Sequence, residues 1–161
     1  MFSFAGLYPS RRAVLGALLL GPVMGACAPR APGQTGAAAP SGIVQPTAPS
    51  KAAFLERARV LRDAAAAAGD QPFGAVIVRN DVIVGQGRSE VVTSTDPTAH
   101  SELMAVRDAA RRLGTRSLSD CDMYSSATPC PMCQGALYWA GVRRVYTETA
   151  LDHGTAPRLG C

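Results

Sequence analysis

Two short motifs at the ends of the stretch from Asp96 to Cys133 bring together the imidazole of His100, the carboxylate of Glu102 and the thiols of Cys130 and Cys133. The stretch opens with Asp-Pro-Thr-Ala-His-Ser-Glu and closes with Pro-Cys-Pro-Met-Cys, placing His100 and Glu102 at one end and Cys130 and Cys133 at the other. Zinc takes nitrogen and sulfur ligands in a tetrahedron, and three protein ligands leave a position open for a water that the metal makes acidic near neutral pH. Three ligands suggest catalysis; a fourth would suggest scaffolding. Glu102, two residues from the imidazole, has the place of a proton carrier for that water. Alone, His100 reads as an ordinary polar histidine and Glu102 as a first-turn glutamate favoured by a helix dipole. The cysteine pair behind a proline tips both toward a metal site.

The neighbouring residues say which elements must position these groups. Leu103, Val106, Ala110 and Leu113 recur at helical spacing with Arg107, Arg111 and Arg112 between them, which predicts an amphipathic helix with His100 and Glu102 in its first turn. Pro129 and Pro131 suit the start of a second helix, continued by Gln134 to Ala140, with Tyr138 and Trp139 expected on its core face. Both ligand sets therefore fall at helix N-termini. Free N–H groups and the positive dipole end favour thiolate over thiol there and can hold a developing oxyanion.

His100-Ser101-Glu102 followed by Pro129-Cys130-Pro131-Met132-Cys133 resembles the signature of zinc-dependent nucleobase deaminases. On these residues the chain is identified as a member of the cytidine deaminase superfamily. Pro72-Phe73-Gly74-Ala75-Val76, Asp96-Pro97-Thr98-Ala99-His100 and the run Gly135 to Ala140 are most similar to bacterial guanine deaminases and less so to bacterial tRNA adenosine deaminases. The resemblance covers Phe54 to Thr149 and implies an α/β fold of three layers, α/β/α, around a mixed sheet. It also implies one Zn²⁺ per chain on His100, Cys130 and Cys133, and hydrolytic deamination of a nucleobase or nucleoside with release of ammonia. Guanine to xanthine is the first choice of substrate. Glu102 would take the proton of the activated water and, in successive transfers, protonate a ring nitrogen and the leaving amine. In relatives the segment Phe73, Gly74 and Ala75 lines the base pocket, and the position of Glu90 contacts the base.

Three departures separate the chain from that pattern. Glu90 stands where relatives usually have an amide, and a carboxylate only accepts hydrogen bonds. Thr128 stands where they usually have a glutamate, and only 28 residues follow Cys133, so the C-terminal part of the domain is short. Two other classes remain open on the residues alone: a zinc-binding module without catalysis, and a thiol redox protein using Cys130 and Cys133. Among enzymes, a tRNA adenosine deaminase is the alternative. From Lys51 onward 13 basic residues face 12 acidic ones, a balance that favours a small-molecule substrate over nucleic acid.

The flanks follow from composition. Arg11-Arg12, the apolar run Ala13 to Leu20 and Met24-Gly25-Ala26-Cys27 read as a twin-arginine export signal over residues 1–27 with a lipobox at Cys27. The expected location is periplasmic, or membrane-anchored through a lipid on Cys27; a misassigned start codon would make the protein cytoplasmic. Residues 28–50, rich in Pro, Ala and Gly, are expected to form a disordered tether, and residues 51–161 the deaminase domain. Within that domain the pattern predicts a helix from Ala52 to Ala68, strands over 75–78 and 82–85 joined at Arg79-Asn80-Asp81, and strands over 123–125 and 142–147. About 110 residues make one small core, and a domain of that size would gain from forming a homodimer.

Overall fold

Asn80 and Asp81 both take left-handed backbone, with φ of 50° and 60°, and fold strand β1 (Gly74–Arg79) back on β2 (Val82–Arg88) as an antiparallel hairpin. The computed structural model describes residues 42–159. The expected export signal, Cys27, the tether up to residue 41 and Cys161 lie outside the described residues. Helix α1 (Lys51–Ala67) precedes the hairpin; α2 (Ser101–Leu113), β3 (Asp122–Ser125), α3 (Pro131–Ala140) and β4 (Val145–Tyr146) follow it. The strand order is β2-β1-β3-β4, with β1 antiparallel to both its neighbours and β3 parallel to β4. The sheet is therefore mixed, as expected.

Alternation along the strands sends residues to two separate cores. Val76, Val78, Ile83, Tyr124 and Tyr146 meet Phe54, Leu55 and Leu61 of α1 on one face. Ala75, Ile77, Met123 and Val145 meet Ala105 and Ala109 of α2 and Leu137 and Ala140 of α3 on the other. This is the expected three-layer α/β/α arrangement.

Four expectations need amending. The buried stripe of α2 is Ser101, Glu102, Ala105 and Ala109, one step round from Leu103, Val106, Ala110 and Leu113, which are only partly buried. The reason lies on β2: a Cβ at Gly85 would stand 2.5 Å from Ala109 Cβ and 2.6 Å from its backbone nitrogen, and one at Gly87 would overlap the Ser101 carbonyl. Helix and strand meet through small residues at backbone distance, so the small stripe goes inward. Tyr138 and Trp139 are 48% and 78% exposed, because α3 turns Cys133, Leu137 and Ala140 to the core. Strand β4 is two residues long rather than six; Val142 is still closing α3 through its N–H to Leu137 O, and Thr155 pairs along the outer side of Val145. Finally, the chain is already packed before Ser50. Ile43 is buried against the α1 face of the sheet, and the Gln45 side chain donates to Ile83 O at 2.8 Å and accepts from Ile83 N at 2.9 Å. That amide stands in for a neighbouring strand at the open edge of β2.

Candidate metal centre and active site

Two helix N-termini bring the chemistry together. His100 is the N-cap of α2 and Glu102 lies in its first turn; Cys130 is the N-cap of α3, with Pro131 as its first residue and Cys133 one turn in. The parallel pairing of β3 with β4 requires a crossover, and α3 is that crossover, so Cys130 emerges beyond the end of β3 beside the start of α2.

The three expected ligands form a nearly equilateral triangle. His100 Nδ1 is 3.7 Å from Cys130 Sγ and 3.7 Å from Cys133 Sγ, and the two sulfurs are 3.7 Å apart. Ligands held 2.0–2.3 Å from one ion at tetrahedral angles stand roughly 3.5–3.8 Å from each other, so the donor set and its spacing fit zinc with one position open. Burial pushes the Cys133 thiol well above its ordinary range, with the Glu102 carboxylate and Cys130 adding to the effect. A cation relieves that cost.

Glu102 is 5% exposed and its carboxylate is held from two sides. Ser125 Oγ, at the end of β3, donates to Oε1 at 3.1 Å, and Ser101 Oγ donates to Oε2 at 3.1 Å. The carboxylate lies 3.6 Å from Cys133 Sγ, against the triangle. Neither serine was singled out by sequence pattern; Ser101 lies inside the His-x-Glu motif, whereas Ser125 is placed only by the pairing of β1 with β3.

Beside these groups is a cavity of about 110 Å³ lined by Phe73, His100, Glu102, Ala127, Thr128 and Cys130. Phe73 is among the lining residues and, at 39% exposed, stands at the mouth. Gly74, Ala75 and Glu90 do not line it. The close approach at Gly74 is made by α1, since a Cβ there would overlap Ala58 O and stand 2.8 Å from Leu61 Cβ. Ala75 is fully buried in the sheet core. Glu90 lies 3.6 Å from the Arg88 guanidinium, in a wider groove between α1 and α2. That groove, of about 510 Å³, and another of about 530 Å³ beside Trp139 are larger than the cavity but hold none of the four reactive groups. Donor chemistry, not volume, marks the site.

The comparisons with known proteins agree with this geometry. The family described as the cytidine and deoxycytidylate deaminase zinc-binding region matches residues 49–149. The guanine deaminase of Bacillus subtilis (strain 168) is 46% identical over 108 residues, covering 66% of this chain and 68% of that protein. A tRNA-specific adenosine deaminase of Aquifex aeolicus (strain VF5) is 40% identical over 88 residues, covering 53% of this chain and 58% of that one. The X-ray structure of guanine deaminase from Bacillus subtilis superposes with a TM-score of 0.57 at 48% identity, covering 58% of this chain and 60% of that chain. The matches thus span about three fifths to two thirds of these relatives' lengths. With a His-Cys-Cys triangle of zinc dimensions on two helix N-termini, a carboxylate against it, and the family's match across 49–149, the chain belongs to the zinc-binding cytidine and deoxycytidylate deaminase family.

Proposed function

We propose that the chain catalyses zinc-dependent hydrolytic deamination of a nucleobase, with guanine as substrate, xanthine as product and ammonia released. The observation that carries this reading is the 3.7 Å triangle of His100, Cys130 and Cys133 with the Glu102 carboxylate against it. Zinc, when bound there, supplies the Lewis acidity that brings proton loss from water near neutral pH. Glu102 takes that proton and passes it to a ring nitrogen, then takes the proton of the hydroxyl now on the attacked carbon and passes it to the leaving amine as the carbonyl forms. Ser101 and Ser125 keep its oxygens aimed during both transfers. The first-turn N–H groups of α3 face the oxyanion that develops at the attacked ring carbon. Phe73 at the mouth offers an aromatic face to a flat ring, and a cavity of about 110 Å³ suits one base. The identity to a guanine deaminase supports guanine over adenosine in tRNA.

The test is zinc content together with ammonia release from a panel of bases, nucleosides and an adenosine-bearing tRNA stem-loop. We expect one zinc per chain, ammonia from guanine and none from the stem-loop. A Glu102→Gln variant should keep its zinc and lose roughly 10²–10⁴-fold in rate. Native rates in that variant, with zinc bound, would overturn the reading. We further propose, from residues 1–27 alone, that the enzyme is exported and lipidated at Cys27. Mass spectrometry of the membrane fraction should then show a mature chain beginning at a lipid-modified Cys27, and an unprocessed cytoplasmic chain would refute it.

A further inference from the structure

Asp70 is a buried carboxylate that the proposed chemistry does not use. It lies in the turn between α1 and β1, is 8% exposed, and accepts five hydrogen bonds. Gln71 N and Ser89 Oγ donate to one oxygen at 2.8 Å each; Val92 N at 3.0 Å, Thr93 N at 2.8 Å and Thr93 Oγ1 at 2.8 Å donate to the other. All five donors are neutral. Burial alone pushes such a carboxyl up, but the donors from Thr93, Ser89 and Gln71 outweigh it and hold Asp70 far below the usual carboxylate range.

Four of the five donors belong to one loop, the connection from β2 to α2. That loop has neither sheet nor helix of its own: it runs through successive turns, exposes Val92 by 59%, and takes left-handed backbone at Thr95. With so little apolar surface buried, polar anchors must hold it. It borders the site at both ends. Ser89 N donates to Phe73 O at 3.0 Å, behind the aromatic mouth, and Glu90 N donates to Ala99 O at 3.0 Å, next to His100. The approach to His100 has its own clamp, since Asp96 Oδ1 accepts from Thr98 N at 2.8 Å and Thr98 Oγ1 at 2.7 Å. Loss of the Asp70 anchor therefore frees the substrate side while the metal side stays fixed.

We propose that Asp70 is a positioning residue for the substrate: through Ser89, Val92 and Thr93 it fixes the loop that backs Phe73, so that the mouth of the pocket is preformed. The proposal rests on the deaminase reading above. In the full zinc-loaded chain, Asp70→Asn removes the charge and one acceptor oxygen, and in either orientation its NH₂ opposes a backbone N–H, that of Gln71 or those of Val92 and Thr93. We expect KM for the base that the native chain deaminates to rise tenfold or more, kcat to stay within threefold, and zinc to remain at one per chain. Amide hydrogen exchange at Val92 and Thr93 should speed up at least a hundredfold while that of α2 is unchanged. Thr93→Val should raise KM in the same direction and Thr93→Ser should restore it, which also serves if Asp70→Asn fails to fold. A native KM in Asp70→Asn and Thr93→Val, or unaltered exchange in the loop, would overturn the proposal, as would loss of zinc in place of a KM effect. The two readings fail separately. If the native chain releases no ammonia from any substrate the deaminase reading falls and this one with it, whereas an active native chain with indifferent variants sinks this one alone.

Discussion

In the proposed reaction Glu102 exchanges a proton twice in one turnover, so its carboxylate needs one orientation rather than a range. The two hydroxyls provide it. Ser125 Oγ and Ser101 Oγ are each 3.1 Å from a different oxygen, and both serines are fully buried. A hydrogen bond to a charged group contributes about 1.5–3 kcal/mol, and removing one donor from a buried carboxylate forfeits it. Ser125→Ala should accordingly lower kcat roughly 10–100-fold with zinc retained and KM little moved, while Ser125→Thr, which keeps the hydroxyl, should stay close to native. Steady-state kinetics with a zinc assay on each variant checks this. A fall in KM and kcat together with zinc loss would instead make Ser125 a support of the metal site.

Element packing turns on the seam between β2 and α2. Gly85 has Ala109 Cβ, Ala109 N and Ala105 O within 2.7 Å of where a Cβ would be built, and two of these are backbone atoms that cannot step aside. Gly85→Ala should destabilise the fold by about 3 kcal/mol or more. Gly135, inside α3, has nothing within 4 Å of that point, so Gly135→Ala should stabilise by about 0.5–1 kcal/mol. Denaturant unfolding of the pair checks both, and equal shifts would refute the seam. The same seam explains what could be read from the sequence and what could not. His100, Glu102, Cys130 and Cys133 were legible because ligand chemistry is carried by residue type and spacing, and the hairpin was legible because Asn80 and Asp81 tolerate left-handed backbone. The buried face of α2 was not, because hydrophobicity points to Leu103 and Val106 whereas the glycines of a distant strand select Ser101, Ala105 and Ala109. Likewise Gly74 reads equally well as a ligand contact or a helix contact until α1 is in place. Ser125, Asp70 and Gln45 are polar residues whose roles depend on partners 19 or more positions away, which no local pattern records.

At the scale of the molecule, the sheet has a core on each face, and the N-termini of α2 and α3 meet through His100 and Glu102 on one side and Cys130 and Cys133 on the other. Bound zinc ties these two ends together, so it stabilises the folded domain in addition to serving chemistry. An ion present at a thousand times its dissociation constant adds about 4 kcal/mol, which for a domain of this size raises Tm by roughly 15 °C. Chelation should remove that increment while far-UV circular dichroism keeps its helix and sheet signal, because neither core contains a ligand other than Cys133. The pH dependence has a definite sign. In the metal-free chain burial and Glu102 hold Cys133 protonated far above the ordinary thiol range, so binding must expel that proton. The apparent affinity therefore rises with pH, by about tenfold per unit for each proton released, and the stabilisation by zinc is lost as pH falls. Calorimetry at pH 6, 7 and 8 with a fixed free zinc concentration should show the Tm difference between zinc-loaded and chelated protein widening at each step. A difference that is constant across this range would mean that the Cys133 thiolate is already formed before the ion arrives, and that the two helix N-termini, rather than the metal, hold its charge.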